Sequence, residues 1–125
     1  MDKVVRYSDE DLEEFRGIIL KKLETARRVY NEMMGQISNA NNNGDADTSP
    51  TYKAVEEGSA MQAKEELITM AQRQQKFIKG LEAALIRIEN KTYGIDRITG
   101  KLIPKERLRV VPHATLSVES KNARR

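Results

Sequence analysis

The chain has 125 residues, a net charge of +3, 38% apolar content and 33% charged content. With two Phe, four Tyr and no Trp, a large globular core is excluded and long solvated helices suit the composition better. The absence of cysteine excludes disulfides and thiolate metal sites.

Residues 1–7 are expected to be loosely packed. Ser8 has the character of a helix N-cap, with Asp11 as the reciprocal half of a capping box and Tyr7 as a staple onto Leu12. Asp9, Glu10 and Asp11 fall where the helix dipole favours negative charge. Leu12, Phe15, Ile19, Leu23, Ala26, Tyr30, Met33 and Ile37 then recur at steps of three and four, a narrow coiled-coil seam. This predicts a helix over about 8–38. Three successive Asn and Gly44 break the pattern, so a tip loop is expected over about 39–49.

Ser49-Pro50 opens a second helix, expected over about 50–90. Its seam is Leu67, Ala71, Gln74, Ile78, Leu81, Leu85 and Ile88, with Gln74 as a polar interruption. The first half is weaker, with Gly58 and Ser59 in place of strong helix formers. Two seams joined by a short polar break predict an antiparallel helical hairpin spanning residues 1–90. Residues 91–125 form a small head: Gly94, Gly100, Pro104 and Pro112 mark turns, Lys105 to Arg109 a short helix, and the tail after Ser120 is basic and frayed.

Charge is unevenly placed. Residues 91–125 carry nine Lys/Arg against three Asp/Glu, so the head is +6 and the rest is −3. Such a split suits a protein that meets a charged partner in a set orientation; chance asymmetry of a solvated surface is the plainer alternative. The opening fifteen residues are too acidic for a signal peptide, and the longest apolar runs are too short to span a bilayer, so a cytoplasmic protein without membrane contact is expected.

No catalytic constellation, P-loop or dinucleotide fingerprint is visible, so no enzyme activity and no cofactor are expected. The single histidine, His113, is expected on the surface. Asp45 and Asp47 in the loop, with Glu56 and Glu57 early in the second helix, place carboxylates at the hairpin end. Such a cluster suits approach to a metal ion in a partner's active site, or is ordinary loop and helix-start acidity. No recognition helix or aromatic interleaving supports a specific DNA site.

The stretch Tyr93 to Ser120 carries a resemblance. Tyr93, Gly94, Gly100, Ile103, Pro104, Arg107, Leu108, Pro112, Ala114 and Leu116 frame four positions, Asp96, Thr99, Ser117 and Ser120, separated by two, seventeen and two residues. This resembles the C-terminal zinc finger of the DksA/TraR family of bacterial transcription factors, with a non-cysteine residue at each of the four cysteine positions. The resemblance implies a mainly α protein: a coiled-coil hairpin with a small, degenerate zinc-finger-like head. The four positions would form a hydrogen-bonded knuckle in place of metal. Packing would rest on Tyr93, Ile95, Ile98, Leu102, Ile103, Leu108, Val110 and Leu116, and on the end of the hairpin.

The resemblance further implies a regulator that binds RNA polymerase through its secondary channel, without a specific DNA site, as a monomer rather than a dimer. Asp45, Asp47, Glu56, Glu57, Arg73, Lys79, Arg107 and Lys121 would meet partners. The family's acidic tip motif falls on Lys53, Glu56 and Gly58, of which only Glu56 is an acid. Arg73, Lys79 and Lys121 match basic positions of the pocket by which some members sense guanosine tetraphosphate. Gly80 and Val111 fall where further basic residues belong, so weak or absent sensing is expected. Two other readings remain: a coiled-coil adaptor that kept the scaffold without the regulatory tip, and an acidic-tip factor that assists transcript cleavage.

Overall fold

The computed structural model describes the backbone of residues 5–42 and 50–123, and the side chains of residues 5–39 and 58–123. The fold is mainly helical, with two long helices packing as a hairpin. Helix α1 runs Asp9–Asn42, α2 Pro50–Glu89, α3 Lys105–Val110 and α4 Val118–Ala123. The described residues hold no strand; one isolated antiparallel bridge joins Ile95 and Leu102. No helix is long and apolar enough to cross a membrane, among the described residues.

Helix α1 begins as its sequence suggests. Ser8 Oγ accepts the Asp11 N–H at 3.1 Å, and Ser8 O accepts the Leu12 N–H at 2.9 Å. The Asp11 carboxylate does not reach back to the Ser8 backbone; it accepts a hydrogen bond from Lys105 Nζ at 2.9 Å. The helix continues through Asn39, Asn41 and Asn42, beyond the expected end at 38. Asn costs a helix only a fraction of a kcal/mol relative to Ala, so a long helix carries a few of them. Residues 43–49 of the expected tip loop lie outside the described residues.

Helix α2 ends in a Schellman turn for which the sequence offers no glycine. Lys91 takes φ 64°, its N–H bonds Ile88 O at 3.1 Å, and the Thr92 N–H bonds Arg87 O at 2.8 Å. Lys91 tolerates this left-handed backbone while its Nζ reaches Asp9 Oδ1 at 2.8 Å.

The chain divides into two compact units, residues 1–24 with 77–125, and residues 25–76. In the first unit the ends of both long helices share one core with the head, as expected of a head that leans on the hairpin end. In that first unit Leu12, Phe15, Ile19 and Leu23 of α1 are buried, as are Ile78, Leu81, Ala84 and Ile88 of α2. Tyr93, Ile103, Leu108, Ala114 and Leu116 of the head complete the core. Phe15 sits at its centre, 5.3 Å from the Tyr93 ring and 5.8 Å from Tyr7.

Of residues 1–7, expected to be loosely packed, residues 1–4 lie outside the described residues, Val5 is exposed and Tyr7 departs from the expectation. It is buried, packs edge-on against Phe15 and donates its hydroxyl to Ile103 O. The Tyr7 ring also presses on Gly94, whose φ is +78° and where a Cβ would come within 2.6 Å of the ring. Tyr7 thus packs against Phe15 and the head.

Three expected core residues of the head face solvent: Ile98 is 55% exposed, Leu102 37% and Val110 77%. Ile98 lies in the turn drawn around the Asp96 carboxylate, and Val110 ends α3 after Leu108 has taken its buried face. On α2 Ala84 is fully buried, whereas its neighbour Leu85, expected on the seam, is only half-buried.

The second unit is more thinly packed. Ala26 and Ala71 are buried, whereas Tyr30, Met33, Ile37, Leu67 and Ile68 are half-buried. Gln74 Nε2 donates to Ala26 O at 3.3 Å, so the polar interruption of the α2 seam bonds across to α1. A shallow hollow of about 200 Å³ lies among Tyr30, Met34, Ile37, Ile68 and Ala71.

Candidate functional site

The four expected knuckle positions are organised around one carboxylate. Asp96 opens a tight turn in which its N–H bonds Lys101 O and its carbonyl accepts the Gly100 N–H, both at 2.8 Å. Gly100 takes φ +74°, which its missing Cβ permits. The turn aims the Asp96 side chain inward, and the residue is 1% exposed.

Asp96 Oδ1 accepts the Ile98 and Thr99 N–H groups at 2.8 and 3.3 Å. Oδ2 accepts the Ser117 N–H at 3.1 Å, Ser117 Oγ at 2.8 Å and Ser120 Oγ at 2.5 Å. Five donors converge on one side chain and join two turns twenty-one residues apart. The Ser120 hydroxyl, followed by the Ile98 and Ser117 donors, holds the carboxyl well below the usual carboxylate range against the opposing effect of burial.

Ser117 also caps α4, its Oγ accepting the Ser120 N–H at 3.1 Å and its carbonyl the Lys121 N–H at 2.9 Å. Asp96, Ser117 and Ser120 therefore meet through their side chains. Thr99 joins through its backbone amide; its exposed side chain accepts the Lys101 N–H at 3.2 Å.

This donor set does not fit zinc. A structural zinc needs four Cys or His ligands, or a carboxylate in place of one. Here a single carboxylate has both oxygens saturated by hydrogen bonds, and hydroxyls complete the set. No group of three His, Cys, Asp or Glu residues suited to a metal occurs among the described residues.

Further bonds brace the knuckle. The Arg97 N–H bonds Thr115 O at 3.0 Å, and Arg107 Nε donates to Leu116 O at 2.8 Å. A cavity of about 270 Å³ lies beside it, lined in part by Leu102, Pro104, Val118, Lys101, Arg107 and Glu119.

Of the other expected site residues, Arg107 is half-buried and committed to Leu116, while Lys79 and Lys121 are exposed in the same unit. Arg73 is exposed on α2 in the second unit. Arg73, Lys79 and Lys121 have no ion-pair partner among the described residues. Gly80 is covered by the His113 ring, to which an added Cβ would approach within 3.2 Å, and Val111 is half-buried. His113 is thus a packed residue rather than a surface one. Asp45 and Asp47 lie outside the described residues, as do the side chains of Glu56 and Glu57.

Part of the charge split between the head and the rest of the chain is internal. Lys105 bonds Asp11 at 2.9 Å, Lys91 bonds Asp9 at 2.8 Å and Arg109 lies 3.4 Å from Glu14. These pairs tie the head to the first turns of α1. Hydrogen bonds from Lys91 and Arg6 hold Asp9 below the usual carboxylate range, and one from Lys105 does the same for Asp11. The acidic first turn of α1 was the available signal, but its partners lie 82 to 95 residues away.

No family model and no curated protein matches the chain. Among solved structures it is similar to the transcription factor DksA2 from Pseudomonas aeruginosa, at 21% identity over 90% of this chain and 81% of that one, with a TM-score of 0.77. At that identity the likeness concerns the fold.

Proposed function

We propose that the chain is a DksA/TraR-like transcription regulator that binds RNA polymerase through the secondary channel, without structural zinc. The fold likeness to DksA2 carries this reading. The head frame around Asp96 supports it, because the five-donor carboxylate gives the two turns a common anchor where four cysteines would hold a metal. The exposed cations Arg73, Lys79 and Lys121 are free to meet an acidic partner surface. Asp45, Asp47, Glu56 and Glu57 would be the residues presented at the hairpin end. Nucleotide sensing is expected to be weak, since the His113 ring occupies the face at Gly80.

The test is capture of bacterial core RNA polymerase on the purified protein. Binding that survives in intact protein and weakens at least tenfold when residues 39–57 are deleted supports the channel reading. Intact protein that captures no polymerase overturns it.

The second unit favours one rival reading, a coiled-coil adaptor. Its seam residues Tyr30, Met33 and Ile37 are only half-buried, and Met34, Met61 and Met70 are 42%, 63% and 49% exposed. Sedimentation equilibrium separates the two: a tight dimer without polymerase affinity selects the adaptor, and a monomer with affinity selects the regulator.

A further inference from the structure

His113 stands in the segment between α3 and α4, with Pro112 and Ala114 buried on either side. Its ring meets Phe77 of α2 edge-on, with centroids 5.1 Å apart and planes at 77°. It also covers Gly80, where only a glycine leaves the ring uncrowded, since a Cβ would sit 3.2 Å from it. The imidazole is therefore the piece of the head that seats against this part of α2.

Two side-chain nitrogens among the described residues are buried without a partner, His113 Nδ1 and Arg87 Nη2. Buried polar atoms are rarely left so, and each such case calls for a physical reason. Arg87 lies seven residues beyond Gly80 on α2, close to two full turns, and so on the face that His113 covers. The charged groups acting on the ring are Arg87 from α2 and Arg107 from α3. Both are cations.

We propose that His113 is a proton-sensitive catch between the head and α2. In the neutral ring, Nδ1 is an acceptor that suits the unpartnered Arg87 Nη2–H. Proton uptake turns that nitrogen into a donor and makes the ring a third cation beside Arg87 and Arg107. The segment between α3 and α4 then loosens from Phe77 and Gly80. Loosening reaches the knuckle, because Arg107 holds Leu116 and the next residue, Ser117, bonds Asp96.

The direction follows from the surroundings. Burial first, then the two guanidiniums, lower the imidazole's proton affinity in the folded state. The catch is complete above the ordinary imidazole range, about pH 6.5, and is lost as the pH falls through the depressed folded value. Asp9, Asp11 and Asp96 are all held below the usual carboxylate range, so they titrate in a separate, more acidic window.

The chain has one histidine, so tag-free full-length protein gives a single imidazole titration by proton NMR. The expected result is a midpoint below the ordinary value, with amide protection of residues 111–117 falling at the same midpoint after correction for intrinsic exchange. His113→Gln, which cannot take up the proton, is expected to remove that step while leaving protection above neutral pH. A ring midpoint at or above the ordinary value overturns the proposal, as does amide protection that ignores the ring titration. If His113→Gln does not fold, the two measurements on the unmodified protein decide alone.

Discussion

The two compact units use the same heptad-like spacing and bury it to different depths. In the first, Phe15, Ile19 and Leu23 are 1%, 0% and 2% exposed, because the head closes over the ends of both long helices. In the second, Tyr30, Met33 and Ile37 occupy equivalent seam steps on α1 and stay half-buried. Two helices bury only a narrow stripe between them, wide enough for Ala26 and Ala71 in the second unit, so burying larger side chains takes a further layer. Tyr93, Ile103 and Leu108 supply that layer in the first unit alone.

The largest test of this contrast is matched truncation. Phe15→Ala empties the centre of the three-ring cluster and is expected to cost about 3–5 kcal/mol, whereas Ile37→Ala is expected to cost about 1 kcal/mol, as for a half-solvated position. Equal losses in denaturant titrations would erase the distinction.

Next is the Asp96 anchor. Asp96→Asn replaces an acceptor-only group by one whose amide N–H₂ faces donors, so at least one of the Ser117 and Ser120 bonds is lost. A fall in melting temperature on the order of 10 °C is expected, while the unsubstituted protein melts identically with and without a chelator. A melting point lowered by chelator would mean that metal shares in holding the head.

Acid sharpens the comparison further. Asp9, Asp11 and Asp96 have depressed folded-state pKa values, and all three lie in the first unit. Their stabilisation is fully present above the unfolded carboxylate value, about pH 4, and is lost as the pH falls through the folded values. Amide exchange is expected to show the head opening from α1 in this window. Added salt weakens the exposed Lys91–Asp9 and Arg109–Glu14 pairs and shifts the opening only slightly.

The smallest effect is a pair of opposite sign. Gly35→Ala, on α1 of the second unit, meets nothing within 4 Å and is expected to stabilise by about 0.5–1 kcal/mol. Gly80→Ala has the same helical benefit, but its Cβ meets the His113 ring at 3.2 Å, so a net loss is expected. Equal gains at both positions would mean that His113 yields freely.

The helices were legible because their signals are local. The period of α1, its Ser8 cap and the start of α2 at Pro50 each depend on residues within a turn of one another. The head frame was legible as a pattern of spacings, and Asp96, Ser117 and Ser120 do meet. Thr99 was matched by position, yet it contributes a backbone amide that any residue but proline supplies.

What the sequence left open depends on contacts between distant segments. Ile98, Leu102 and Val110 are as apolar as Ile103 and Leu108, and only the turn around Asp96 and the short span of α3 decide which of them point inward. Tyr7 gives no local sign of its burial in the head, because its partners Ile103 and Gly94 lie far along the chain. His113 offered no periodic signal; Phe77, Gly80 and Arg87 give it its meaning. Periodicity and capping determined the two helices, since they act within a few residues. Tertiary packing alone decided the three-layer core, the carboxylate anchor and the seating of His113, since burial and hydrogen-bond satisfaction depend on which distant groups arrive together.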